Sequence, residues 1–169
     1  MDFEGFCAVF GTYVPPAVQD GERYYLIAQD LLAFRVGEQR KPYLRGLYLG
    51  MGKKDFVPTS ALLQLLAQHS KRKATVTSER AEWLFLCGRD VFADSFTSEH
   101  TNGMVLVQNS RDENLGLGTI VKNSKGEFLL KNILDLGNYL RHEKTVLNEK
   151  QSRTEHHQRR NKRWTKRSK

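Results

Sequence analysis

Apolar and polar positions follow two different periods along this chain, and the change of period divides it. Arg23-Tyr24-Tyr25-Leu26-Ile27 is aromatic and β-rich and follows the turn signal Asp20-Gly21, which predicts a strand entered from a hairpin. Gly46-Leu47-Tyr48-Leu49-Gly50 is a second apolar run bracketed by glycines. After Pro58 the pattern turns helical. Thr59 or Ser60 caps a helix whose Leu62, Leu63, Leu65 and Leu66 form a broad apolar face, and Lys71-Arg72-Lys73 ends it. Those three cations suit the negative end of a helix dipole as well as they suit RNA. Lys73 to Ser78 alternates polar and β-branched residues, as an edge or linker strand does. Four apolar runs come next, Trp83–Phe92, Met104–Gln108, Asn114–Val121 and Phe128–Asn132, which read as one compact β unit. Ile133, Leu136, Gly137 and Leu140 then fall at i, i+3, i+4 and i+7, the stripe of a closing amphipathic helix, with Gly137 allowing it to pack closely.

From about Asn148 no apolar periodicity remains, and the segment cannot bury enough surface to fold alone. The expected organisation is an α+β protein with an N-terminal mixed α/β domain at 1–73, a β-barrel domain at 74–147 and a basic disordered tail at 148–169. A chain of 169 residues can bury such cores without staples. Cys7 and Cys87 form no CxxC or regular framework, which predicts a reduced, intracellular protein. Both look like small buried hydrophobes rather than nucleophiles, Cys87 because it follows a continuous apolar strand. The start lacks the basic and apolar regions of a signal peptide, and no run approaches the roughly 20 apolar residues of a membrane span.

Charge is unevenly placed. The formal net charge is +8, and from Lys150 onward nine basic residues face Glu155 alone, so the tail carries all of it. The body is balanced, and its affinity for a polyanion depends on local patches.

Known chemistry finds little footing. GxGxxG after a strand, GxxxxGK[ST], GxSxG and HExxH are absent, which predicts a chain that is no enzyme and holds no cofactor. His69 and His142 sit near helix ends, His100 lies in a polar loop, and His156-His157 would diverge in either helix or strand. No metal site is expected. Asp112-Glu113 belongs in a hairpin turn.

Two features suit nucleic acid. The first is a basic set around the last strands of the β unit, Lys122, Lys125, Lys131 and Arg141, with Asn123 and Asn132 as hydrogen-bonding neighbours. The second lies in the tail, where Arg159, Arg160, Lys162, Arg163, Lys166 and Arg167 surround Trp164. Dense mobile charge releases counterions from phosphates, and an aromatic ring can stack on an unpaired base.

Gly88 and Val91 after the first apolar run, and Gly116-Leu117-Gly118 in a late strand, resemble the PUA domains, small mixed β-barrels that bind RNA. The ending Lys131-Asn132-Ile133-Leu134-Asp135-Leu136-Gly137-Asn138-Tyr139-Leu140-Arg141-His142-Glu143 is similar to that of the Nip7-type ribosome biogenesis proteins. Tyr24–Ile27 and Ser60–Leu66 resemble the N-terminal domain of the same family. The resemblance covers roughly Tyr24 to Glu143, inclines toward the archaeal members, and leaves out the tail. It implies a C-terminal PUA-like barrel with a closing helix and RNA contact through a row of Arg and Lys residues. Lys131 keeps that row, whereas Glu127, Phe128 and Leu134 replace basic residues of it. It also implies a non-catalytic factor of large-subunit assembly, binding pre-ribosomal RNA and meeting other assembly factors through the N-terminal domain. The compartment would be the cytoplasm, or the nucleolus in a eukaryote. An RNA-docking subunit of a modification enzyme and a protein-only adaptor are the alternative readings.

Overall fold

A computed structural model describes residues 1–11, 13–33 and 46–138 of the chain. Asp2 opens helix α1 (Phe3–Phe10) by accepting the Gly5 amide at 2.9 Å. Phe3, Phe6, Cys7 and Phe10 recur at helical spacing and are all buried. Strands β1 (Ala17–Asp20) and β2 (Arg23–Leu26) form the hairpin expected around Gly21. A short helix α2 (Gln29–Ala33) follows. Strands β3 (Leu47–Met51) and β4 (Val57–Pro58) complete a sheet in the order β1-β2-β3-β4, antiparallel throughout the described residues. Helix α3 (Ser60–Ala67) is capped by Thr59, whose side chain accepts the Leu62 amide, and it buries Leu62, Leu63 and Leu66.

The second sheet is built from β5 (Lys73–Val76), β6 (Val91–Phe92), β7 (Phe96–Thr97), β8 (Gly103–Gln108), β9 (Asn114–Lys122) and β10 (Phe128–Asp135). Helix α4 (Glu79–Leu86) joins β5 to β6. The strand order β6-β10-β9-β8-β5-β7 curls into a nearly closed, barrel-like sheet. Its pairings are antiparallel except for β5 with β8.

Opposite sides of the long strands serve different cores. Val105, Val107, Ile120 and Leu130 point to one side, where Ala81 and Phe85 of α4 close over them. Leu106 and Leu117 point to the other, into the cluster of Phe3, Phe6, Phe10, Leu49, Leu62, Leu63 and Leu66. Residues Met1–Asp135 therefore make one compact unit with two cores on a shared sheet. At Gly116 the strands approach so closely that a Cβ would stand 2.1 Å from the Leu134 carbonyl oxygen, and φ is +148°. A side chain is excluded there on both grounds.

Several sequence expectations are corrected. Trp83-Leu84-Phe85-Leu86 is the end of α4 and not a strand. Ser78 caps that helix by accepting the Ala81 amide at 3.2 Å, and Glu79 and Glu82 in its first turn favour the positive end of the dipole. Cys87 consequently follows a helix and is only half-buried. Strand β5 is no edge strand, because β8 and β7 flank it on either side. Ile133 belongs to β10, where a bulge between Asn132 and Leu134 accommodates it, so it contributes to no helical stripe. Leu140 lies outside the described residues. Finally, Lys71-Arg72-Lys73 does not end α3, which stops at Ala67 without a base in its last turn. Arg72 instead reaches back to β8, donating from Nε to the Met104 carbonyl and from Nη2 to that of Asn102, each at 2.7 Å.

Candidate nucleic-acid interface

Strand register separates the basic residues that the sequence grouped together. Paired residues of neighbouring strands face the same side of a sheet. Lys131 pairs with Thr119, which pairs in turn with Met104. Two positions along, Leu129 pairs with Val121 on one flank and Phe92 on the other. These residues share the side of the sheet that carries Leu106 and Leu117. The part of that side beyond the N-terminal core is open: Lys131 and Phe92 are exposed, while Thr119, Val121 and Leu129 are half-buried.

Lys122 faces the other way. It pairs with Phe128, in step with the pair Ile120 and Leu130, and its ammonium lies 5.2 Å from the centre of the Phe128 ring. At that distance a cation is attracted by the ring's electron-rich face. Lys122 thus caps the rim of the barrel core. Lys125 is exposed in the turn between β9 and β10. That turn is built by Asn123, whose Oδ1 accepts the amides of Lys125 at 2.9 Å and Glu127 at 3.0 Å. Its Nδ2 donates to Glu127 Oε2 at 2.8 Å.

Asn132 is committed to the fold. Its Nδ2 donates at 2.7 Å to the Phe85 carbonyl, a helix-end acceptor that also takes the Gly88 N–H, and its backbone N–H donates to Asp90 Oδ1 at 3.0 Å. Arg141, Arg159, Arg160, Lys162, Arg163 and Trp164 lie outside the described residues.

Elsewhere the titratable groups read as structural. Cys7 is fully buried in the N-terminal core, and burial, with a smaller push from Glu4, raises its thiol to about 11. A thiol held protonated is a poor nucleophile. The His69 ring packs on Tyr13 with centroids 4.1 Å apart. In the β8–β9 hairpin, Asn109 Nδ2 donates to Glu113 Oε2 at 2.6 Å. That bond first, and the nearby Arg111 charge second, hold the Glu113 carboxyl below its ordinary value. An open cleft of about 310 Å³ runs beside this hairpin, lined by Val76, Thr77, Ser78, Glu79, Glu82, Ser110 and Arg111. Its two carboxylates oppose a phosphate backbone. Among the described residues no group of three or more His, Cys, Asp or Glu could hold a metal ion, and no helix is long and apolar enough to cross a membrane.

Phe92 is the feature of this face that sequence reasoning missed. It stood inside a run read as one continuous strand, and only the turn at Gly88 and the pairing with Leu129 show that it faces outward.

Comparison with known proteins agrees with the barrel. Residues 73–144 match the UPF0113 PUA domain. A UPF0113 protein of Archaeoglobus fulgidus is 31% identical over 141 residues, covering 77% of this chain and 80% of the relative. A UPF0113 protein of Aeropyrum pernix is 34% identical over 149 residues, covering 82% and 84%.

Proposed function

The chain belongs to the UPF0113 family, and from that membership we propose that it is a non-catalytic RNA-binding factor acting in assembly of the large ribosomal subunit. The observation that carries the RNA half of this reading is Lys131, exposed on the open side of a PUA-domain sheet. An ammonium on a broad strand face can take a phosphate without desolvating itself in a pocket. The tail supports the same reading through its charge, since it holds nine bases against one acid from Lys150 onward. The assembly half rests on the Nip7-type resemblance, which extends through both domains. The N-terminal domain would meet other assembly factors.

Titration of the full chain into labelled single-stranded RNA at several salt concentrations tests the RNA half. Lys131→Glu should weaken binding and lower the slope of log affinity against log salt by about 0.7 to 1, one phosphate contact's worth. No binding at low salt would remove this half. Affinity capture of the intact protein from its source tests the other. Large-subunit precursors should be retained, and recovery of one catalytic protein without them would make the chain an RNA-docking subunit instead.

A further inference from the structure

Lys131 shares its face with an aromatic ring that the fold leaves uncovered. Phe92 is 68% exposed on β6, at the edge of the sheet, although phenylalanine is among the residue types most often buried. Its strand partner Leu129 is half-buried, and Lys131 occupies the diagonal position of the same pair of strands, at about 7–8 Å by strand geometry. The neighbouring carboxylate, Asp90, accepts the Asn132 backbone N–H on Oδ1 at 3.0 Å. A ring, an aliphatic floor and an ammonium one side-chain length away match the parts of one nucleotide, a flat base and its phosphate. An acidic protein would satisfy the lysine but would leave the ring without a planar partner.

We propose that Phe92 stacks on an unpaired base whose adjoining phosphate is held by Lys131, so that this face selects single-stranded RNA over duplex. This rests on the RNA-binding reading above and adds the form of RNA recognised. In a duplex both faces of every base are already stacked, so the ring would have nothing to receive. Trp83 is exposed too, at 64%, but it lies on α4, which covers the opposite side of the sheet.

The test measures affinity of the full-length protein for a U-rich single strand and for a duplex of equal length at one salt concentration. Phe92→Ala should lose about tenfold for the single strand and nothing for the duplex. Phe92→Trp should retain binding, Phe92→Leu should not, and Trp83→Ala should match the wild type. Because Phe92 is exposed, unchanged unfolding midpoints will show that the variants are folded. If the wild type binds RNA and Phe92→Ala binds the single strand equally well, the stacking role is overturned and the patch is left to a protein partner. Equal losses on single strand and duplex would likewise overturn the selectivity. If the wild type binds no RNA of either kind, the broader reading falls and this one with it.

Discussion

Asn132 shows why a polar residue beside a lysine is weak evidence of contact with RNA. Its neighbours in sequence place it in a basic, hydrogen-bonding stretch, yet its amide is turned inward and spans 47 positions to the Phe85 carbonyl. Residue alternation decides the matter, since Lys131 faces out and the next side chain of a strand must face in. Replacing Asn132 with Ala removes one of two donors to the Phe85 carbonyl, which keeps the Gly88 N–H, and should cost about 0.5–1.5 kcal/mol, read as a lower unfolding midpoint in denaturant. RNA affinity of the folded protein should stay at the wild-type value. A normal midpoint with weakened binding would instead make Asn132 a contact residue. Arg72 has the same character: drawn from a basic run, it is consumed by two carbonyl groups of the β8 segment.

At the scale of elements, strands announced by an apolar run between turn signals were legible in the sequence. The β1–β2 hairpin, β3, β8, β9, β10 and the Thr59-capped α3 all stand close to where the pattern put them. Helix α4 was not, because Trp83-Leu84-Phe85-Leu86 is as continuous as a buried strand, and its helical signal lies upstream in Ser78, Glu79 and Glu82. A short apolar run has no period of its own to decide between the two. Helix α1 was overlooked for a related reason: its Asp2 cap and four buried residues fall in a segment read only for a signal peptide and for the burial of Cys7. The site was half legible. Composition could name Lys131, but it could not put Lys122 on the other face or bring Phe92 beside Leu129, since both facts depend on register between strands. The cap on α4 makes the helix testable. Ser78→Ala should destabilise the protein by about 1 kcal/mol, whereas Ser78→Asp should be nearly neutral. Equal losses in both would show that the hydroxyl serves another purpose.

The whole molecule is organised around β8 and β9, which give one face to each core. Leu106 and Leu117 are each 1% exposed, and what covers them is the set of N-terminal residues led by Phe6, Leu62 and Leu63. Residues 73–144 match the PUA domain, but this arrangement implies that they do not carry all their own packing. Removing residues 1–72 would strip the cover from both leucines and from the half-buried Met104 and Leu134 beside them. Uncovering a buried leucine exposes roughly 1.5–3 kcal/mol of burial free energy, a large share of the marginal stability of a small domain. A fragment of 73–144 should therefore bind a hydrophobic dye and unfold at lower denaturant than the full chain. Within the full chain, Leu63→Ala, which touches only the N-terminal core, should lower amide protection along β9 as well as along α3. Loss of protection in α3 with β9 unaffected would mean that the two cores unfold separately, and that the shared sheet joins them in space without joining their stabilities.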